Sequence, residues 1–142
     1  MPEANGTTSQ AEHCYEEGKR FVELYYQLMD THKPSLAQFY SDTSQIVWRN
    51  HPHQGGAQFL TAVIGKLPST NHQIRSFDCQ PVTAWNVLPP PGTPYNIALQ
   101  VTGAVTYDNH TIALGFTHSF VLSPRLDHPG KYYISNEMFR LV

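Results

Sequence analysis

The sequence predicts an α+β domain, and three observations carry that prediction. In the first third, Tyr15, Phe21, Val22, Tyr25, Tyr26, Leu28 and Met29 recur at spacings of three and four, the mark of one buried stripe on a helix. From His72 onward apolar and polar residues alternate, the period of a half-buried strand. Helices come first and strands follow as a meander, an order that excludes the alternating βαβ pattern of a doubly wound sheet.

Each element follows from local signals. Residues 1–10 are polar and read as a disordered tail ahead of a domain spanning 11–142. Ser9, with Glu12 three residues later, reads as a capping box. The helix behind it runs to about His32, because Pro34 disfavours helical geometry in Lys33. Gly18 interrupts it at a cost of about 1 kcal/mol relative to Ala, which a close approach by the sheet would explain. Leu36, Phe39 and Tyr40 predict a short second helix, and Ile46–Trp48 a short strand. After Gly55-Gly56, a third helix carries Phe59, Leu60, Val63, Ile64 and Leu67 and stops at Pro68. Strands are then predicted over His72–Val82, Tyr95–Tyr107, Thr111–Leu122 and Tyr132–Leu141. The four prolines between Trp85 and Pro94 make that segment a stiff exposed loop. Asp108-Asn109 reads as a tight hairpin turn, since both residues tolerate positive φ.

The alternation also sorts faces. Tyr95, Ile97, Leu99, Val101, Val105 and Tyr107 point one way, as do Ile112, Leu114, Phe116, His118, Phe120 and Leu122. The opposite face holds Gln100, Thr102, Ala104, Ala113, Thr117 and Ser119. A solvated sheet face usually carries Lys and Glu. This one is small and neutral, the composition of a face that another sheet can cover, so the domain is expected to bind a protein through it. Arg140 alternates away from Phe139 and falls on this face with Met138. Its planar guanidinium suits a bidentate carboxylate contact. Asp78 and Gln80 complete the candidate interface, although Asp78 also alternates onto a face with Ile74 and Val82.

Composition narrows the function classes. A net charge of -2 with no basic run lacks the footprint of a nucleic-acid binder. No apolar stretch is long enough to span a bilayer, and the N-terminus lacks the apolar core of a secretory signal. Cys14 and Cys79 match no metal or disulfide spacing and read as free thiols in a reducing compartment. No cofactor or metal is expected. The groups that could serve catalysis are His51, His53, Asp78, His118, Tyr25 and Tyr40. His51 and His53 flank Pro52 and read as loop histidines. His118 reads as a hydrogen-bonded core histidine. With no Asp–His pair at obvious facing positions, an enzyme is not expected.

Phe21-Val22, Tyr25-Tyr26, Asp30, Leu36, Tyr40, Trp48, Gly56, Leu67-Pro68, Gly103, Phe116, Phe120, Leu122, Asn136-Glu137 and Phe139-Arg140 fall in the order and spacing of the nuclear transport factor 2-like family, which the chain resembles over nearly its whole length. The resemblance implies a cone in which N-terminal helices pack in a curved antiparallel sheet whose outer face serves dimerisation. Within that family, Leu67 to Ile74 and Asp78-Cys-Gln-Pro-Val82 resemble the small subunit of a heterodimeric nuclear mRNA export receptor. This likeness implies a non-enzymatic adaptor that pairs with a large subunit of the same fold, with Arg140 facing a carboxylate there. It further implies passage by Phe-Gly-repeat nucleoporins, directly or through the partner, with RNA touched at most through the complex. The chain would then shuttle between nucleus, nuclear pore and cytoplasm. The family's homodimeric Ran-GDP import carrier is disfavoured: it presents one acid just after the strand Trp, where this chain has Arg49, and two at the hairpin turn, where Asp108 matches one and His110 stands in place of the other. Juxtaposed like charges oppose association by several kcal/mol. The isomerases and dehydratases of the fold are a further alternative.

Overall fold

The computed structural model describes residues 6–83, 90, 92–108 and 110–142, with side chains from residue 10 onward. Helix α1 (Gly6–Thr31) carries the predicted stripe: Val22, Tyr25, Tyr26 and Met29 are buried. It begins before Ser9, so the expected capping box does not mark its start; nothing between Gly6 and Ser9 breaks a helix. Tyr15 lies at the stripe's margin, half exposed and stacked on Phe77 with ring centroids 5.6 Å apart. At the other end Lys33 Nζ donates to Met29 O at 2.9 Å, satisfying a carbonyl that the helix leaves unpaired. Gly18 has the reason expected of it. A Cβ there would stand 2.6 Å from Cys79 Sγ, so only glycine lets α1 lie this close to the sheet.

The second helical segment is a 3-10 turn, Lys33–Phe39. β1 (Gln45–Trp48) and β2 (His51–Gln54) form a hairpin around Arg49 and Asn50. Both turn residues have positive φ, 51° and 72°, the backbone of a two-residue type I′ connection. β2 corrects the loop reading of His51 and His53. Pro52 is tolerated in it because β2 is an edge strand with no ladder to donate to on one side. α2 (Gly56–Ala62) and a 3-10 turn at Ile64–Lys66 follow.

Four long strands complete the chain: β3 (Thr70–Val82), β4 (Asn96–Tyr107), β5 (Leu114–Pro124) and β6 (Tyr132–Leu141). The order is β2-β1-β6-β5-β4-β3, with β1 parallel to β6 and every other pair antiparallel. The sheet is therefore mixed rather than purely antiparallel, because β1 returns to lie beside the last strand. The β4–β5 connection is also wider than a two-residue turn. Asp108 (φ 52°) donates its N–H to Ser69 O at 2.7 Å, which draws it away from β5. Asn109, and residues 84–89 and 91 of the predicted proline loop, lie outside the described residues.

A bulge in β3 between Ile74 and Ser76 inverts the alternation. Asp78 consequently faces outward opposite Gln100, which corrects its placement with Ile74. The core lies between α1 and the inner sheet face. There Ile97, Leu99, Val101, Phe116, Phe120, Leu122, Ile134 and Phe139 are buried, and Trp48 stacks on Phe139 at 4.1 Å.

Candidate functional site

Two regions could carry function: the polar interior of the cone and the outer face of the sheet. Alternation dictates the first. β5 turns His118 inward with Phe116 and Phe120, and β6 turns Glu137 inward with Phe139. Glu137 is only 3% exposed. Its Oε1 accepts from Tyr40 Oη at 2.5 Å, and its Oε2 accepts from Tyr25 Oη at 2.9 Å and His118 Nε2 at 2.6 Å. A carboxylate only accepts, so Nε2 carries the imidazole proton. Nδ1 then accepts from Tyr26 Oη at 2.7 Å. A second pair lies beyond Tyr26, whose ring centroid is 5.1 Å from that of His72. Asp30 Oδ1 accepts from His72 Nδ1 at 2.6 Å and from Thr70 Oγ1 at 2.8 Å, and Oδ2 accepts the His72 backbone N–H at 2.8 Å.

The electrostatics follow from burial. Burial pushes the His118 imidazole below its ordinary pKa, although the Glu137 carboxylate pulls the other way. Tyr25, Tyr26 and Tyr40 are held well above the usual phenol range, by burial first and then by the Glu137 charge. Burial alone would raise Asp30, but the hydrogen bonds from His72 outweigh it and hold the carboxyl below its ordinary value. Two carboxylate–histidine pairs are thus present where sequence reading expected none. A carboxylate, an imidazole and three phenols could in principle transfer protons. Here the donors and acceptors bond to one another, so Glu137 presents no free oxygen to a substrate. A buried carboxylate is stable when such donors replace its water. The arrangement is that of a satisfied structural core. Among the described residues, no group of three or more His, Cys, Asp or Glu side chains is placed to hold a metal ion.

The outer face is built by register. Asp78, Gln100, Ser119, Met138, Val47 and Pro52 stand in one row across all six strands, each opposite the next. Thr102, Thr117 and Arg140 form the neighbouring row. Gln80 pairs with Ala98 in a third. The structure thus brings eight of the ten sequence-selected positions onto one face. Ala104 is already covered within the chain, at 2% exposure, and Ala113 precedes β5. Met138, at 52% exposure, and Val82 are exposed apolar side chains of the face. Beside it a groove of about 350 Å³ is lined by Val47, Pro52, Val121 and Asn136 among others. At the end of the cone, Arg49 lies close enough to Tyr107 for its charge to oppose the rise that burial imposes on the Tyr107 phenol.

Comparison with known proteins places this geometry. The family described as Nuclear transport factor 2 (NTF2) domain matches residues 17–141. A relative named Nuclear transport factor 2, from Emericella nidulans, is 32% identical over 129 residues, covering 87% of this chain and 91% of its own. An NTF2-related export protein from Caenorhabditis elegans is 32% identical over 133 residues, covering 89% and 86%. The solved structure of nuclear transport factor 2 from Cryptosporidium parvum superposes with a TM-score of 0.71 at 30% identity, covering 88% and 91%. Candida albicans Mtr2 and a scytalone dehydratase-like protein share the fold alone, at 13% and 14% identity. These findings overturn the expected role as the small subunit of an mRNA export receptor. Relatives named Nuclear transport factor 2 recur across a filamentous fungus, a plant and a fission yeast at 28–32% identity, and a solved nuclear transport factor 2 matches over 88% of this chain.

Proposed function

The chain belongs to the nuclear transport factor 2 domain family, and from that premise we propose that it is a non-enzymatic nucleocytoplasmic transport carrier, a homodimer whose cargo is Ran-GDP. The observation that carries the reading is the near-full-length likeness to nuclear transport factor 2 proteins, in sequence and in structure. The neutral outer face supports the homodimer. An isologous interface must be self-complementary, and this face carries opposite charges on different strands, Asp78 on β3 and Arg140 on β6. A two-fold axis along the β4–β5 seam lays β3 of one copy over β6 of the other, bringing Asp78 toward Met138 and Arg140.

Arg49 tunes cargo affinity rather than forbidding cargo. It sits on the β1–β2 turn, near enough to Tyr107 for its charge to act on that phenol, and Asp108 follows Tyr107 directly after β4. Calorimetric titration with Ran loaded with GDP or GTP tests the reading. GDP-selective binding is expected, and Arg49→Glu should tighten it by about tenfold, equal to about 1.4 kcal/mol. Absence of binding by both the wild type and Arg49→Glu would refute the cargo assignment.

A further inference from the structure

We propose that Cys14 and Cys79 form a reversible disulfide that staples helix α1 to the edge strand β3. Sequence spacing gave no reason to pair them, but the fold brings them into contact. Cys14 and Gly18 lie one helical turn apart on the face of α1 turned to β3. Cys79 Sγ occupies the space at Gly18, where a Cβ would meet it at 2.6 Å. The two thiols lie close enough for each to shift the other's titration: Cys79 adds to the rise that burial imposes on Cys14, and Cys14 opposes the rise that burial imposes on Cys79. Missing a side chain at Gly18 is therefore what admits the Cys79 sulfur to the helix surface next to Cys14.

Exposure sets the order of events. Cys14 is fully buried, whereas Cys79 is partly exposed. A low-molecular-weight disulfide therefore reaches Cys79 first. The Cys79 thiolate attacks it, forming a mixed disulfide and releasing one small thiol. The Cys14 thiolate then attacks Cys79 Sγ, forming the Cys14–Cys79 bond and releasing the second. The two protein sulfurs are oxidised, the small disulfide is reduced to two thiols, and the two protein S–H protons end on those thiols. Burial, and then Cys79, push the Cys14 thiol up to about 12. Its thiolate is scarce at neutral pH, so closure is slow there and quickens as pH rises. The pair stays reduced in a reducing compartment and closes under sustained thiol oxidation.

The product closes a loop of 66 residues, Cys14 through Cys79. A cross-link of that span restricts the unfolded chain strongly, with an expected rise in melting temperature of about 10 °C. The test is to incubate the full chain with glutathione disulfide at mildly alkaline pH and follow intact mass, non-reducing peptide maps and thermal melting. The expected product is a chain two hydrogens lighter, with no disulfide between chains, containing a Cys14–Cys79 peptide. Its higher melting temperature should revert on reduction, and it should not form in Cys79→Ser. The decisive comparison is between oxidised and reduced wild type, so a poorly folding variant does not blunt it. A stable glutathione adduct on Cys79, covalent dimers through Cys79, or a cross-link with no gain in melting temperature would each overturn the proposal.

Discussion

The inner and outer faces of the same sheet obey opposite rules. Inside, polarity is concentrated in a few buried groups that satisfy one another: Glu137 accepts three hydrogen bonds, and His118 uses both ring nitrogens. Outside, polarity is spread thinly over Ser, Thr, Gln and Asn, with Asp78, Met138 and Arg140 standing out. Inside, therefore, loss of one partner strands several others. Outside, a substitution costs the fold little and affects what the face can meet. The same side-chain chemistry carries stability on one face and recognition on the other, and burial decides which.

Glu137→Ala should have the largest effect. It leaves the hydroxyls of Tyr25 and Tyr40 and the Nε2–H of His118 without an acceptor, at about 1–3 kcal/mol each. The sum is comparable to the whole stability of a typical domain, about 5–15 kcal/mol. Denaturant unfolding should show a largely unfolded or molten chain. Retention of wild-type stability would mean that the interior network carries no energy.

Arg140→Asp and Asp78→Arg are the matching outer-face tests. Each should weaken self-association at least a hundredfold, about 3 kcal/mol, while circular dichroism and melting temperature stay unchanged. The doubly substituted chain should recover much of the loss. Recovery is the part that a solvated surface charge cannot imitate.

A smaller effect is expected inside from Tyr26→Phe. It removes the donor to His118 Nδ1 and keeps the ring, costing about 1–2 kcal/mol in chemical denaturation. Rescue of stability at that position by Tyr alone would assign the cost to the hydroxyl.

The mildest probe is pH. The His118 value is depressed in the fold, so the unfolded chain binds its proton first and stability falls as pH drops below about 6.5. Asp30 is depressed as well, so its contribution is present above about 3.8 and is lost below it. Each group steepens the decline by at most about 1.4 kcal/mol per pH unit. Two successive declines are expected in unfolding free energy against pH, and His118→Gln should remove the upper one. A profile flat down to pH 5 would show that His118 is not held neutral.

Much of this was legible in the sequence. The stripe on α1, the inward run Phe116, His118, Phe120 and the neutral opposite face follow from periodicity alone. The alternation that buries Phe139 also buries Glu137, so its place inside is legible from parity despite its charge. What was not legible depends on breaks in local rules. The bulge near Arg75 turns Asp78 outward and cannot be read from composition. β2 was hidden by Pro52, which is tolerated only because the strand is an edge. The pairing of Asp30 with His72 joins residues 42 positions apart, and the contact of Cys14 with Cys79 exists because Gly18 admits it. Long-range placements of this kind belong to the fold rather than to any window of sequence.

As proposed, the outer face is a self-complementary docking surface of a homodimeric carrier. Sedimentation equilibrium of the chain alone at micromolar concentration tests it most directly. The expected result is a single species of twice the 16.1 kDa of one chain, converting to monomer on Arg140→Asp without loss of fold. A wild-type chain that sediments as a monodisperse 16.1 kDa monomer would contradict it.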